Sequence, residues 1–301
     1  MVTKNIDTVW RSLLYMPANK PRFIEKAQTL GADGIILDLE DSIASHNKTD
    51  ARNSARLAIT ELSRGPSDII VRINSPLRLA IRDLEDVVRP GLNAIFLPKI
   101  ENPGLLLALD EVLASLEAEQ RMPIGSVRTV PMIETPKALL RSAEIAIATP
   151  RNIALILGGE DFAKSANLKP SPETLSPPKL QVALSAKAAG LIPLGILDTV
   201  ANFSDPDRSL KVALKSADFG FEGATCIHPS MIKILNQAFT PNDFEIEKAN
   251  LVIQTMEKAW KNDSGAVQIN GEMIDLPVYE RAKALLSRVA TIKKKSQTLV
   301  K

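Results

Sequence analysis

Residues 128–161 read RTVPMIETPKALLRSAEIAIATPRNIALILGGED, and this stretch decides the fold class. Two short apolar runs, Arg128–Ile133 and Ile153–Leu157, lie on either side of an amphipathic segment that begins at Pro136. Proline is favoured in the first turn of a helix, and strands that are apolar on both faces are typical of a parallel sheet. The stretch therefore predicts one strand–helix–strand unit.

The same alternation runs through most of the chain. Apolar runs predict eight strands, at Ser12–Met16, Gly34–Asp38, Ile69–Ile73, Ala94–Pro98, Arg128–Ile133, Ile153–Leu157, Ile192–Leu197 and Ala224–Ile227. Amphipathic segments predict helices near residues 20–30, 48–63, 78–89, 103–120, 136–147, 179–189, 206–219 and 229–239. Eight such units predict a closed (β/α)₈ TIM barrel, with an open doubly wound sheet as the alternative.

Two segments stand outside this alternation. Residues 167–178 contain four prolines and predict a long loop after the sixth strand, where a loop would cover the active site. Residues 241–301 exceed what a barrel over 1–240 needs. They predict a helical extension with a helix over 243–262, a short run at Ala266–Ile269, a turn at Asn270–Gly271 and a last helix from about Pro277. We expect this extension to be a lid or an oligomer-forming arm.

The composition narrows the classes of function. The formal net charge is only +2, which argues against a nucleic acid or an anionic membrane as partner. The single cysteine, Cys226, cannot form an internal disulfide, and no stretch approaches the roughly 20 apolar residues that a membrane span needs. We therefore expect a cytoplasmic globular protein.

Charged side chains follow seven of the eight predicted strands, and in a barrel the catalytic groups lie at these carboxyl ends. The polar residues there are Asp38, Glu40, Asp41, Arg72, Asn74, Lys99, Glu101, Glu134, Glu160, Asp161, Asp198 and His228. Helix capping explains one or two such residues but not so many. The pattern therefore predicts an active site at this end of the barrel.

Glu134 and Asp161 are one βα unit apart, so their carboxylates should lie side by side. Two carboxylates without a nearby cysteine or histidine suit a hard cation, Mg²⁺ or Mn²⁺, although two helix-capping acids remain the alternative. The Gly158–Gly159 pair exposes backbone N–H groups to which a bound carboxylate or thioester could come close.

Two cations extend this site. The planar fork of Arg72 can hold a carboxylate or stabilise an enolate oxygen, and it can equally form a salt bridge with Glu40 or Asp41. Lys99 is either a supporting charge near the site or, if its amine is neutral, a Schiff-base nucleophile. The acids at 101, 134 and 161 favour the charged form. His228 either caps the last barrel helix or contacts substrate.

The chain resembles the citrate lyase β-subunit-like family of the HpcH/HpaI aldolase superfamily, from about Arg11 to Arg288. The motifs that carry this resemblance are SLLYMPANKP (12–21), GIILDLEDSI (34–43), VRIN (71–74), LPKIE (97–101), MIETP (132–136), LGGEDFA (157–163), LDTV (197–200), GFEGATCIHP (220–229) and INGEMID (269–275). The resemblance implies a (β/α)₈ barrel that assembles as a homotrimer or homohexamer and acts on CoA thioesters of hydroxy acids with Mg²⁺.

The resemblance also assigns roles to single residues. It makes Glu134 and Asp161 the metal ligands, and it makes Arg72 the group that binds the oxo acid and stabilises the enolate. Asp275 matches an acid that reaches a neighbouring subunit's site from the lid and is our candidate for proton transfer, with capping of the last helix as the alternative. Residues expected to contact the CoA nucleotide are Tyr15, Lys20 and Lys26.

The function so implied is cleavage of a 3-hydroxyacyl-CoA to acetyl-CoA and an oxo acid. Citramalyl-CoA, malyl-CoA and citryl-CoA are the candidate substrates. Citramalyl-CoA comes first because many relatives have an aromatic residue where this chain has the small Ala201. Alternatives are a citrate lyase β-subunit acting on an acyl-carrier-bound substrate, a thioesterase or synthase, and a non-catalytic scaffold subunit.

Overall fold

The computed structural model describes residues 8–262, 264–269 and 271–299. Its first eight strands are β1 Ser12–Pro17, β2 Gly34–Asp38, β3 Asp68–Arg72, β4 Ala94–Leu97, β5 Arg128–Ile133, β6 Ala154–Leu157, β7 Ile192–Leu194 and β8 Ala224–Cys226. The helices among and after them are α1 Pro21–Ala27, α2 Lys48–Leu62, α3 Leu77–Val87, α4 Pro103–Glu119, α5 Pro136–Leu140, α6 Ser142–Ile147, α7 Gly159–Ser165, α8 Pro172–Ala188, α9 Pro206–Asp218 and α10 Ser230–Ala238. A 3₁₀ turn, Ser45–Asn47, precedes α2.

These strands form one parallel sheet in the order β7-β6-β5-β4-β3-β2-β1-β8. A parallel bridge between Leu194 and Gly223 joins the two ends of that order, next to a hydrogen bond from the Gly195 N–H to the Gly223 carbonyl at 2.8 Å. The barrel that the sequence predicts is thus confirmed, and the open sheet is wrong.

Side chains alternate between the interior of the barrel and the layer under the helices. The interior is filled by buried residues two apart along each strand, among them Leu13, Ile36, Ile70, Phe96, Val130, Met132 and Ile156. Their neighbours in sequence, such as Ile35, Leu37, Ile69 and Ile95, pack outward in the larger core with the helices. The alternation of side chains continues towards the carboxyl ends of the strands. The residue two positions after the last interior residue of a strand therefore faces the mouth of the barrel.

The loop predicted at residues 167–178 is wrong for most of its length. Helix α8 begins at Pro172, where Ser171 and Thr174 form a capping box and proline occupies the first turn. Pro177 and Pro178 lie inside the helix. Only the first part of the predicted loop, between α7 and Ser171, is irregular. Prolines that suggest a loop are compatible here with a well-capped helix start.

A second compact unit begins at Thr240, whereas Trp10–Phe239 form the first. It contains α11 Asp243–Lys261, an antiparallel hairpin of β9 Val267–Ile269 and β10 Glu272–Ile274, and α12 Leu276–Leu299. Its own core includes Val252, Met256 and Ile274. The predicted turn includes Asn270, which lies outside the described residues. No helix in the described ranges, α12 included, is both long and apolar enough to cross a bilayer.

Candidate active site

A cavity of about 530 Å³ opens at the carboxyl ends of the barrel strands. Sequence-predicted site residues that line it are Tyr15, Asp41, Arg72, Glu134, Gly158, Gly159 and Asp161. Apolar side chains such as Met132, Ile156 and Ile196 form another part of its wall. Of the twelve polar residues that were predicted at the strand ends, half line this cavity: Asp38, Asp41, Arg72, Glu134, Glu160 and Asp161.

Arg72, at the end of β3, is held mainly by Asp38 at the end of β2. Its Nε and Nη2 donate to the two oxygens of Asp38 at 2.7 and 2.8 Å, and its Nη1 lies 3.2 Å from Glu40 and 3.4 Å from Asp41. The guanidinium also lies over the Tyr15 ring, 4.9 Å from its centroid. The predicted salt bridges with Glu40 and Asp41 are present, but the bidentate partner is Asp38.

This pair fixes the charge of both members. Burial alone would lower the pKa of Arg72, but the hydrogen bonds and charge of Asp38 raise it. Burial likewise raises the pKa of Asp38, and the guanidinium outweighs this effect and lowers it. Arg72 is therefore a permanent cation facing the cavity.

Glu134, at the end of β5, is 2% exposed and held by the backbone of the preceding βα loop. Its Oε2 accepts a hydrogen bond from the Lys99 N–H at 2.7 Å. Lys99 has φ +53°, which a non-glycine residue adopts at a cost of about 1–2 kcal/mol. The other carboxylate oxygen of Glu134, Oε1, lies against Gly158, where a Cβ added to the glycine would stand 2.5 Å from it. Glycine is therefore required at 158 for this carboxylate to keep its place.

Negative charge accumulates around Glu134. The pKa of Glu134 is raised to about 8, first by burial and then by the carboxylates of Glu40 and Asp161, which outweigh the opposing hydrogen bond from the Lys99 amide. Burial raises the pKa of Glu40 as well. Among the residues that the structure describes, none donates a hydrogen bond to Oε2 of Glu40, although the Arg72 guanidinium lies 3.2 Å away. A group of buried acids that resists ionisation is one that a bound cation would stabilise.

The side chain of Lys99 neutralises part of this charge. Its Nζ lies 2.9 Å from Oε1 of Glu40. Partial burial lowers the pKa of Lys99, but the hydrogen bond and charge of Glu40 outweigh this and raise it. A Schiff-base lysine needs a lowered pKa, so the electrostatics disfavour that chemistry.

Asp161 lies in the first turn of α7 and lines the same cavity as Glu134. Within the part of the chain that the structure describes, its carboxylate has no hydrogen bond or ion pair, and no cluster of three metal-binding side chains occurs. Two carboxylates with the remaining positions filled by water or substrate are what Mg²⁺ commonly uses. The oxygen donors and their excess negative charge fit that ion.

Four predicted or considered residues lie elsewhere. Lys20 and Lys26, at the start and end of α1, are exposed and do not line the cavity. Asp275 belongs to the second unit, where its side chain accepts a hydrogen bond from the Val278 N–H at the start of α12, so the capping alternative is present. His228 is exposed and stacks on Phe203 at 4.9 Å.

Sequence reasoning missed two contributors. Asp38 was noted at a strand end but given no role, although its position two residues after the interior residue Ile36 places it beside Arg72, two residues after Ile70. Lys179, buried on α8, lines the cavity. It is the first residue of the helix that the sequence predicted at 179–189, and only its place among apolar neighbours could have signalled burial.

Known proteins match the chain along most of its length. The profile of the HpcH/HpaI aldolase/citrate lyase family matches residues 11–229. The citrate lyase subunit beta of Escherichia coli strain K12 is 31% identical, over 92% of this chain and 92% of that protein. The (3S)-malyl-CoA thioesterase of Cereibacter sphaeroides is 32% identical, over 94% of this chain and 95% of that protein.

A solved structure is similar as well. It is the crystal structure of protein CitE from Mycobacterium tuberculosis in complex with magnesium, acetoacetate and coenzyme A, at 27% identity and a TM-score of 0.73. The match covers 95% of this chain and 100% of that one. Together these comparisons confirm the resemblance that the sequence motifs indicated.

Proposed function

The chain belongs to the HpcH/HpaI aldolase/citrate lyase family, and from that premise we propose that it is a Mg²⁺-dependent lyase that cleaves a 3-hydroxyacyl-CoA to acetyl-CoA and an oxo acid. The observation that carries the proposal is one cavity lined by Glu134, Asp161 and Arg72. A retro-aldol cleavage requires negative charge to be stabilised on an enolate oxygen, and this cavity supplies a fixed cation and a place for a second one.

Glu134 and Asp161 are the proposed metal ligands. Mg²⁺ supplies Lewis-acid polarisation of a substrate oxygen when it is bound. The excess negative charge around Glu134 supports this assignment, and so does Asp161, whose carboxylate has no hydrogen bond or ion pair among the described residues. The magnesium in the similar CitE complex is consistent with it.

Arg72 is the proposed group that stabilises the enolate oxygen. Because Asp38 holds two of its nitrogens, the guanidinium is already oriented before substrate binds, and little reorganisation is needed during the reaction. Gly158 and Gly159 leave the wall beside Glu134 free of side chains, so that a carboxylate or thioester can come close to the backbone.

Three further assignments from the family resemblance remain proposals. Tyr15 lines the cavity and stays a proposed contact of the CoA nucleotide. Lys20 and Lys26 are exposed cations on α1 that suit the phosphates of CoA. Asp275 is proposed as the proton-transfer group, acting within a homotrimer or homohexamer.

The acyl group is proposed from the apolar part of the wall. Ala201 is exposed and does not line the cavity, whereas Thr199 and Val200 do. A branched hydrocarbon face beside the acids suits a substrate with a methyl group, so we keep citramalyl-CoA as the first candidate, ahead of malyl-CoA and citryl-CoA.

A thioesterase is the second candidate, because the Cereibacter relative is named (3S)-malyl-CoA thioesterase. The two activities differ in their products. A lyase releases acetyl-CoA and an oxo acid, whereas a thioesterase releases free CoA and the intact hydroxy acid. Measuring free thiol together with oxo acid therefore separates them.

The test is product release from citramalyl-CoA, malyl-CoA and citryl-CoA, each with Mg²⁺ and again after EDTA. We expect acetyl-CoA and an oxo acid, with activity lost in EDTA and restored by Mg²⁺. Free CoA without oxo acid would establish the thioesterase instead. Activity that survives EDTA would refute the metal assignment, and silence on all three would favour a carrier-bound substrate or a scaffold subunit.

A further inference from the structure

We propose that Lys179 is a positioning residue that ties the loop between β7 and α9, residues 195–205, to helix α8 and thereby sets the cavity wall at Thr199 and Val200. The proposal rests on the proposed function in taking the cavity to be the substrate site, whereas the contacts of Lys179 do not depend on it. Lys179 lies outside the nine motifs that carry the family resemblance, and the proposed chemistry does not use it.

The contacts of Lys179 run to the backbone of this loop. The side chain is 5% exposed, and its Nζ donates to the carbonyl oxygens of Ile196 at 2.8 Å and Asp198 at 2.5 Å. Buried carbonyl groups need donors, and here one ammonium group serves two of them. Removal of that group would leave both carbonyls without it and free the loop from α8.

Other hydrogen bonds also hold the loop, one within it and others to helices α9 and α7. The Asp198 carboxylate accepts hydrogen bonds from the Thr199 N–H at 2.8 Å and from Arg208 of α9 at 2.5 Å. The Thr199 hydroxyl bonds to Glu160 of α7. These hydrogen bonds connect the loop to itself, α9 and α7, whereas Lys179 connects it to α8.

The wall that this loop forms belongs to the same cavity as the acids and Arg72. Ile196, Thr199 and Val200 line it, and none of them carries a charge. A shift of the loop would therefore change the shape available to the acyl group and leave the charges of Glu134 and Arg72 in place. Lys179 should thus influence which acyl group is accepted.

The charge of Lys179 gives the loop a pH dependence whose sign follows from linkage. Burial lowers the pKa of Lys179 to about 8, against the attraction of Asp198 and Glu160, the charged groups that face it. Arg208 on α9 neutralises Asp198 from the opposite side. An open loop would return the amine to water and to its ordinary pKa of 10.5, so opening takes up a proton between about pH 8 and 10.5. Opening therefore becomes less favourable as the pH rises.

The first test is hydrogen–deuterium exchange of residues 195–205 in the full chain. Lys179→Met keeps the length of the side chain and should speed exchange of the loop by at least about tenfold, because both carbonyls lose their donor. Lys187→Met is the matched control, since Lys187 is half-exposed on the same helix and forms an ion pair with Glu222, outside the loop. It should leave the loop unchanged.

The wild-type chain supplies a readout that needs no variant. After correction for intrinsic exchange, the opening constant of the loop should fall about tenfold between pH 7 and pH 9, from the two pKa values above. Lys179→Met should abolish this trend. A loop that stays protected in Lys179→Met, or a wild-type loop without the pH trend, would overturn the proposal.

The second test is selectivity. Lys179→Met should change the ratio of kcat/KM for citramalyl-CoA to that for malyl-CoA by about tenfold, and Lys187→Met should not. An equal loss on both substrates would indicate general destabilisation and count against a positioning role. Silence of the wild-type enzyme on these thioesters would defeat the proposed function, and the exchange experiment would then decide the role of Lys179.

Discussion

Two buried glutamates lie at opposite ends of the barrel and have opposite electrostatic surroundings. Glu117, near the amino ends of the strands, is 0% exposed, and Arg151 donates to both of its oxygens at 2.8 Å. The N–H groups of Gly125 and Val127 donate to it as well, each at 2.7 Å. Glu134, at the mouth, is 2% exposed and receives one backbone hydrogen bond, from Lys99.

The pKa values of the two glutamates are shifted in opposite directions, and the hydrogen-bond donors of Glu117 account for the downward shift. Burial raises the pKa of Glu117, but its hydrogen bonds with Arg151 and the two amides outweigh this and lower it. The pKa of Glu134 is raised to about 8 by burial and by the acids beside it. At the amino ends of the strands Arg151 neutralises Glu117, whereas at the mouth the buried acids outnumber the cations Arg72 and Lys99. An incomplete buried charge cluster marks where a ligand belongs.

The largest expected effect is on activity, from Glu134→Gln. The amide cannot replace a carboxylate as metal ligand, so kcat/KM should fall at least about 10³-fold, by comparison with loss of a single oxyanion donor. Mg²⁺ binding, measured by titration calorimetry, should disappear. The melting temperature without metal should not fall, because the substitution removes an acid whose ionised form the folded protein disfavours. A variant with full activity would refute the metal assignment.

The matched substitution at the other end, Glu117→Gln, should act on stability. It leaves the buried Arg151 without its bidentate partner, which costs about 3–5 kcal/mol of unfolding free energy. Chemical denaturation should detect this loss, whereas kcat per folded molecule should stay near the wild-type value. If the variant lost its activity and kept its stability, the proposed contrast between the two ends would be wrong.

The third prediction concerns pH without metal. Glu134 has a folded pKa near 8 and an ordinary value of 4.5, so between these values the folded protein holds a proton that the unfolded chain has released. Stability in EDTA should therefore fall as the pH rises from about 5 to 8, by about 3 kcal/mol. Thermal unfolding at pH 5.5 and 8 measures the slope. Glu134→Gln should flatten it, and an unchanged slope in that variant would assign it to other groups.

The smallest expected effect comes from Lys99→Gly. Glycine keeps the backbone N–H that holds Glu134 and accepts the positive φ without strain, which should offset the lost contact with Glu40 to within about 1 kcal/mol. Steady-state kinetics should show less than about a tenfold loss in kcat/KM. Complete inactivation would show that the amine itself takes part and would revive the Schiff base.

The sequence predicted the strands of the barrel well because their apolar runs are buried on both faces and leave a clear pattern. The prediction failed at residues 167–178, where local composition favoured a loop. There Pro172 lies in the first helical turn, and the capping by Ser171 is a contact that becomes evident only once the helix is formed.

The location of the candidate site could be predicted from the sequence, because the carboxyl ends of barrel strands converge on one cavity. The structure places Arg72, Glu134 and Asp161 around one cavity, as their positions in the sequence indicated, while their roles remain predictions. The pairing of Arg72 with Asp38 depends on which strand face each residue occupies, and the contacts of Lys179 join segments 17 and 19 residues apart. Such contacts depend on tertiary packing, which strand and helix patterns do not contain.

The hydrogen bond from the Lys99 amide to Glu134 can form only when β4 and β5 pair in the correct register. The donor lies two residues after β4 and the acceptor one residue after β5, and the two strands pair with Leu97 opposite Pro131. A slip of one residue between them would move the amide by about 3.3 Å and turn Glu134 to the other face of the sheet. During folding, the proposed metal site at Glu134 can therefore form only after β4 and β5 have paired in this register, and the onset of Mg²⁺ binding would report that pairing.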